Sequence, residues 1–207
     1  MRIIDGLLGH DYDSNYNTRG HRCRDIEDIN LKNYILFLGD NVSLGLDKNI
    51  EQTFPYMVSK KLNMDYYNLS IFNGGHDALK FNLLGWMHKF KAQCPKFIVI
   101  TNEFLNSLLT SDSSFNNLKV MDYSNEDAKT IIDAANVCGF FRGRNQLLEN
   151  LIKTTVPVPV YQIILPGSEI LLSDNKMTDI VVESKNHEDI FIKLYECINH
   201  KKRKIAP

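Results

Sequence analysis

The run Tyr34-Ile35-Leu36-Phe37-Leu38, stopped by Gly39-Asp40, constrains the fold of this chain more than any other stretch. Consecutive apolar residues without polar alternation suit a strand buried on both faces, as in a parallel sheet covered by helices. Residues 97–101 (FIVIT) and 158–166 (VPVYQIILP) repeat the pattern, and 66–71 (YYNLSI) reads as a further strand. Helical stretches separate them. Residues 51–63 place Phe54, Met57, Val58 and Leu62 at helical spacing, with Pro55 near the first turn, where it is tolerated. Residues 76–93 carry apolar side chains at 79, 83, 84, 87 and 90, the stripe of an amphipathic helix. Residues 126–154 are helical in pattern with a break near Gly139 and Gly143, and 188–202 form a last helix. Residues 103–125 read as a helix start followed by a loop, and 168–184 fit neither pattern.

This alternation predicts an α/β fold of three layers, α/β/α, with a central parallel sheet of flavodoxin-like type. A polar N-terminal arm or lid (1–33), anchored by Ile3, Ile4, Leu7 and Leu8, precedes a single domain (34–207). In such open sheets ligands sit beyond the carboxyl ends of the strands. The stretches to inspect are therefore Gly39-Asp40-Asn41, Ser70 to Gly75, Thr101-Asn102-Glu103 and Pro166 onward.

Composition narrows the partners. A formal net charge of −1 gives no global field for nucleic acid or an anionic membrane. No apolar run approaches the ~20 residues of a membrane span. The opening MRIIDGLLGHDYD is too short in apolar residues and too acidic for a signal peptide, so a cytoplasmic location is expected. Cys23, Cys94, Cys138 and Cys197 form no CxxC pair and read as reduced thiols. His10, Asp11, Asp13, His21 and Cys23 cluster in sequence but match no zinc or calcium loop, so neither metal nor cofactor is expected. The basic run Lys201-Lys202-Arg203-Lys204 suits a solvated helix C-terminus.

Three ordered blocks carry a resemblance. Residues 38–45, LGDNVSLG, follow the first strand and lead to Thr53-Phe54-Pro55; residues 68–79, NLSIFNGGHDAL, join a strand to a small-residue turn and a helix; Ile100-Thr101-Asn102-Glu103 ends a third strand. Upstream stands Asn17-Thr18-Arg19-Gly20-His21-Arg22. Together these resemble the SGNH/GDSL hydrolases. The resemblance implies acyl transfer at a strand-to-helix turn, with residue 41 in the nucleophile's position. The implied oxyanion donors are the backbone N–H of residue 41, the backbone N–H of Gly74 and the side-chain amide of Asn102. Read without the resemblance, Gly74-Gly75 is a tight turn, and Asn41 and Asn102 are helix caps.

The chain departs from that pattern where the chemistry sits. Residue 41 is Asn, and a carboxamide has no hydroxyl to form an acyl-enzyme. Ser43 is the nearest hydroxyl. The family's late Asp-x-x-His corresponds to Asp174-Asn175-Lys176-Met177, with Met in the base's place. His187 has Ser184 three residues before it and suits better the second histidine that some members carry at the start of the last helix. The expectation is an SGNH-like protein without ester hydrolysis that retains a pocket for a small acyl or glycan ligand, or serves as a structural module. Two alternatives are an active esterase using Ser43 and His187, or a water activated by Asp40 or Asp174, and an interaction subunit of an oligomer or larger assembly such as a virion.

Overall fold

A computed structural model describes residues 16–39, 41–72, 75–102, 107–111, 118–122, 150, 152, 154–166 and 177–205. In chain order the elements are β1 (Tyr34–Leu38), α1 (Asn41–Leu44), α2 (Phe54–Leu62), β2 (Asp65–Asn68), α3 (Gly75–Lys89), β3 (Phe97–Asn102), β4 (Ser107–Ser111), β5 (Leu118–Asp122), β6 (Val160–Ile164), β7 (Met177–Val181) and α4 (His187–Ile205). Five strands form one parallel sheet in the order β2-β1-β3-β6-β7. The order reverses between β1 and β3, the switch point at which open α/β sheets hold ligands.

The runs of apolar residues explain the layering. Along β1, Tyr34, Leu36 and Leu38 join one core with Leu79, Leu83, Trp86 and Met87 of α3. Ile35 and Phe37 join the other, with Phe54 and Val58 of α2 and Ile190, Leu194 and Ile198 of α4. All five β1 residues are buried because both faces are covered. The expected three-layer α/β/α architecture is the one observed.

Several local expectations are corrected. Residues 107–111 and 118–122, expected in a loop, form an antiparallel pair, β4–β5, while 103–106, where a helix start was expected, lie outside the described residues. Residues 168–184, unassigned from sequence, include the edge strand β7. The buried stripe of α3 includes Asn82 and Trp86, and the Trp86 indole donates to the Tyr34 hydroxyl at 2.9 Å. The described part of the N-terminal segment, from residue 16, packs on the α3 face, with Cys23 and Ile29 inside that core. No helix among the described residues is long and apolar enough to cross a membrane.

Candidate functional site

Asn41 opens α1 immediately beyond β1, at the switch point, and its carbonyl accepts the Gly45 N–H at 2.9 Å. Three other parts of the chain fix this turn. A Cβ on Gly39 would overlap Thr101 Oγ1 and lie 2.7 Å from the Thr101 carbonyl oxygen, so only glycine lets β1 turn this close to β3. Ser43 Oγ and Thr101 Oγ1 share a hydrogen bond of 2.5 Å, with both residues buried. The Asn68 side chain, at the end of β2, donates to the Ser43 carbonyl at 2.9 Å. The guanidinium of Arg22, itself buried, donates to the carbonyls of Leu44 (2.8 Å), Gly45 and Lys48. The first is an orphan carbonyl of the helix end, and the other two belong to the turn that follows it.

The arm shapes that guanidinium's approach. Asn17 Oδ1 accepts the N–H groups of Arg19 and His21, both at 3.0 Å, while its amide donates to the Tyr67 hydroxyl at 3.2 Å. His21 beside it is fully buried, and burial together with the Arg19 charge lowers its pKa to about 4. Burial pushes the neighbouring Cys23 thiol up to about 12, which keeps it protonated and unreactive.

His187 opens α4, just past the carboxyl end of β7. Its Nδ1 accepts the Phe54 backbone N–H at 3.1 Å, its ring stacks on Phe54 with centroids 5.7 Å apart, and it underlies Gly45, whose added Cβ would lie 3.0 Å from Nε2. Burial lowers its pKa. A neutral imidazole that accepts at Nδ1 carries its proton on Nε2, so the second nitrogen donates and cannot take up a proton. The α4 start is capped locally: Ser184 Oγ bonds Asp189 and accepts the Asn186 N–H (3.2 Å), and Asn186 Oδ1 accepts the Glu188 N–H (3.1 Å).

The predicted site residues are thus distributed unevenly. Asn41 stands at the switch point, and Asn102 ends β3 next to it, one residue beyond Thr101. Asp40, Gly74 and Asp174 lie outside the described residues. Ser43 and His187 do not serve each other: the hydroxyl is buried on Thr101, and Nδ1 is engaged with Phe54. Met177 begins β7 opposite Val160, at about 3.3 Å per residue roughly 13 Å from that strand's carboxyl end. Arg22, Asn68 and Thr101, which hold the turn, were not singled out from sequence for that role. The signal available was a polar residue at or near the carboxyl end of two strands, Asn68 in β2 and Thr101 in β3.

No family model matches this chain, and no curated protein matches it. Solved structures do. One, a carbohydrate esterase whose active site is described as displaying divergent catalytic and non-catalytic binding functions, superposes with a TM-score of 0.50 at 14% identity, covering 83% of this chain and 66% of that one. A family 2 carbohydrate esterase with a carbohydrate-binding domain, from Corynascus thermopiles (Myceliophthora fergusii), gives 0.49 at 12%, covering 82% and 66%. A lipolytic protein of the G-D-S-L family from Desulfitobacterium hafniense gives 0.40 at 11%, covering 84% and 75%. The chain spans 66% of the length of each esterase, slightly under two thirds. With its parallel sheet, its flanking helices and its switch-point turn, the chain shares its overall fold with the carbohydrate esterase that superposes at a TM-score of 0.50.

Proposed function

We propose that this chain is a non-hydrolytic SGNH-type domain that binds an acylated saccharide at the Asn41 end of its sheet. The observation that carries the reading is Asn41 itself, a carboxamide at the first position of α1, where acyl transfer requires a nucleophile. Two further observations support it. The nearest hydroxyl, Ser43, is buried on Thr101, and His187 holds its Nδ1 on a backbone N–H. A carboxamide can both donate to and accept from a sugar hydroxyl or an ester carbonyl, which suits recognition without bond cleavage. The carbohydrate esterase of similar fold, with its non-catalytic binding function, is consistent with such a use.

Turnover and binding test this together. Purified protein is expected to hydrolyse p-nitrophenyl acetate no faster than a heat-denatured control. Asn41→Ser is expected to remain inactive, because restoring a hydroxyl leaves Nε2 of His187 protonated and unable to act as base. Acetylated xylo-oligosaccharides should bind by calorimetry, with affinity lowered in Asn41→Ala. Turnover by the unaltered protein, or strong activity in Asn41→Ser, would overturn the reading.

A further inference from the structure

A groove of about 760 Å³ opens along the edge strand β2, between α2 and the segment around residues 16–30. That size lies within the range of about 300–1,000 Å³ typical of small-molecule sites. Asn33 precedes β1, and Asn63, Asp65 and Tyr66 lead into or lie on β2, so the groove faces the end of the sheet where these strands begin. Asn41 lies beyond the opposite end. The groove is therefore separate from the site described above.

All but one of its charges, Asp28, are engaged within the chain. Arg24 pairs with Asp65, which also accepts the Asn30 N–H at 2.7 Å. Asp25 holds the Thr18 N–H and hydroxyl at 3.0 and 2.6 Å. Lys60 Nζ stands 5.4 Å above the Tyr56 ring. With two cations against three carboxylates in the lining, nothing favours an anion. Asn17, Asn30 and Asn33 are hydrogen-bonded within the chain. Beside Asp28, the groups left to a ligand are neutral: the Asn63 amide and the Tyr66 hydroxyl, neither of which makes a side-chain hydrogen bond among the described residues, while the Tyr66 ring packs on Phe37 at 5.9 Å. Tyrosine rings beside a neutral amide match a ligand with one apolar face and many hydroxyls.

We infer that this groove is a second binding site, for a neutral oligosaccharide, with Tyr56 and Tyr66 as its anchors. The full chain is titrated with xylotriose, cellotriose and chitotriose while backbone amide shifts are followed by NMR. At least one sugar is expected to give saturable shifts in residues 23–33 and 56–66. Tyr56→Ala should weaken that binding about tenfold and Tyr66→Phe about fivefold, the loss of one aromatic wall and of one hydrogen bond. Asn41→Ala should leave it unchanged, so failure here and failure of the proposed function are read separately. If Tyr56→Ala disturbs folding, Tyr66→Phe, which removes a single oxygen, decides. No saturable shift with any of the three sugars, shifts confined to the Asn41 end, or equal affinity in Tyr66→Phe would each overturn the inference.

Discussion

The turns β1–α1 and β7–α4 reach the same end of the sheet, and they are held in different ways. The first is held from a distance: Arg22 on the carbonyls after α1, Thr101 on Ser43, Asn68 on the Ser43 backbone, and Gly39 against β3. The second is held mostly by its own neighbours, Ser184, Asn186 and Asp189, with His187 and the Val182 N–H, which donates to the Ile164 carbonyl, as long-range ties. Long-range wiring of buried polar groups defines a position tightly, because each orphaned partner carries a desolvation penalty. The turn that carries Asn41 is thus fixed by three distant parts of the chain.

The largest expected effect tests whether the close approach at the first turn is fixed. In Gly39→Ala the new Cβ meets a backbone oxygen at 2.7 Å, which no rotamer change relieves. We expect a loss of about 4 kcal/mol, above the usual overpacking range, or failure to accumulate folded protein. A loss under about 1 kcal/mol in urea denaturation would show that β1 and β3 can separate there, and the contrast between the turns would weaken.

Arg22 comes next. Arg22→Leu removes the donor to three carbonyls and should lower stability by about 3 kcal/mol. Arg22→Lys should recover little, since one ammonium cannot reach three oxygens in the fork geometry of a guanidinium. Full rescue by lysine would mean that charge, and not wiring, holds the turn.

Acid should separate the two turns further. His21 is neutral when folded, with its pKa depressed from 6.5 to about 4, so the unfolded chain binds more protons between these values. Its contribution is complete above pH 6.5 and is lost as pH falls toward 4, on the order of 2–3 kcal/mol. His187 is shifted in the same direction and adds loss of the same sign. Stability measured from pH 7 to 4 should therefore fall, and His21→Leu should flatten the profile more than His187→Gln does. An unchanged slope in His21→Leu would place the acid sensitivity elsewhere.

How much of this was legible beforehand follows from the residues. β1, β3 and β6 announce themselves because strands buried on both faces read as nearly continuous apolar runs, interrupted only by Gln162 in β6 and by the polar end of β3. β7 does not, since of an edge strand reading Met-Thr-Asp-Ile-Val only Met177 and Ile180 are buried. Asn41 was visible because the blocks around it are contiguous in sequence. Its supports were not: Ser43 and Thr101 lie 58 residues apart, and His187 and Phe54 lie 133 apart, distances over which a single polar residue carries no signal. The acceptor role of His187 Nδ1 is a property of that long-range contact.

The smallest expected effect lies at the second turn. Asn186→Ala removes the side-chain oxygen that accepts the Glu188 N–H and should cost about 1 kcal/mol, the ordinary value of a helix cap. Because Ser184 and Asp189 cap the same end, the loss should stay local, with amide exchange faster in the first turn of α4 and unchanged in α1. Ser43→Ala, which also deletes one hydrogen bond, should instead exceed this value, since it strands the Thr101 hydroxyl in the core. Combining it with Thr101→Val, which removes the stranded partner, should recover part of the loss and give a coupling of about 1 kcal/mol. Equal losses in Asn186→Ala and Ser43→Ala, with no coupling to Thr101→Val, would erase the difference between a turn wired through the core and a turn capped by its neighbours.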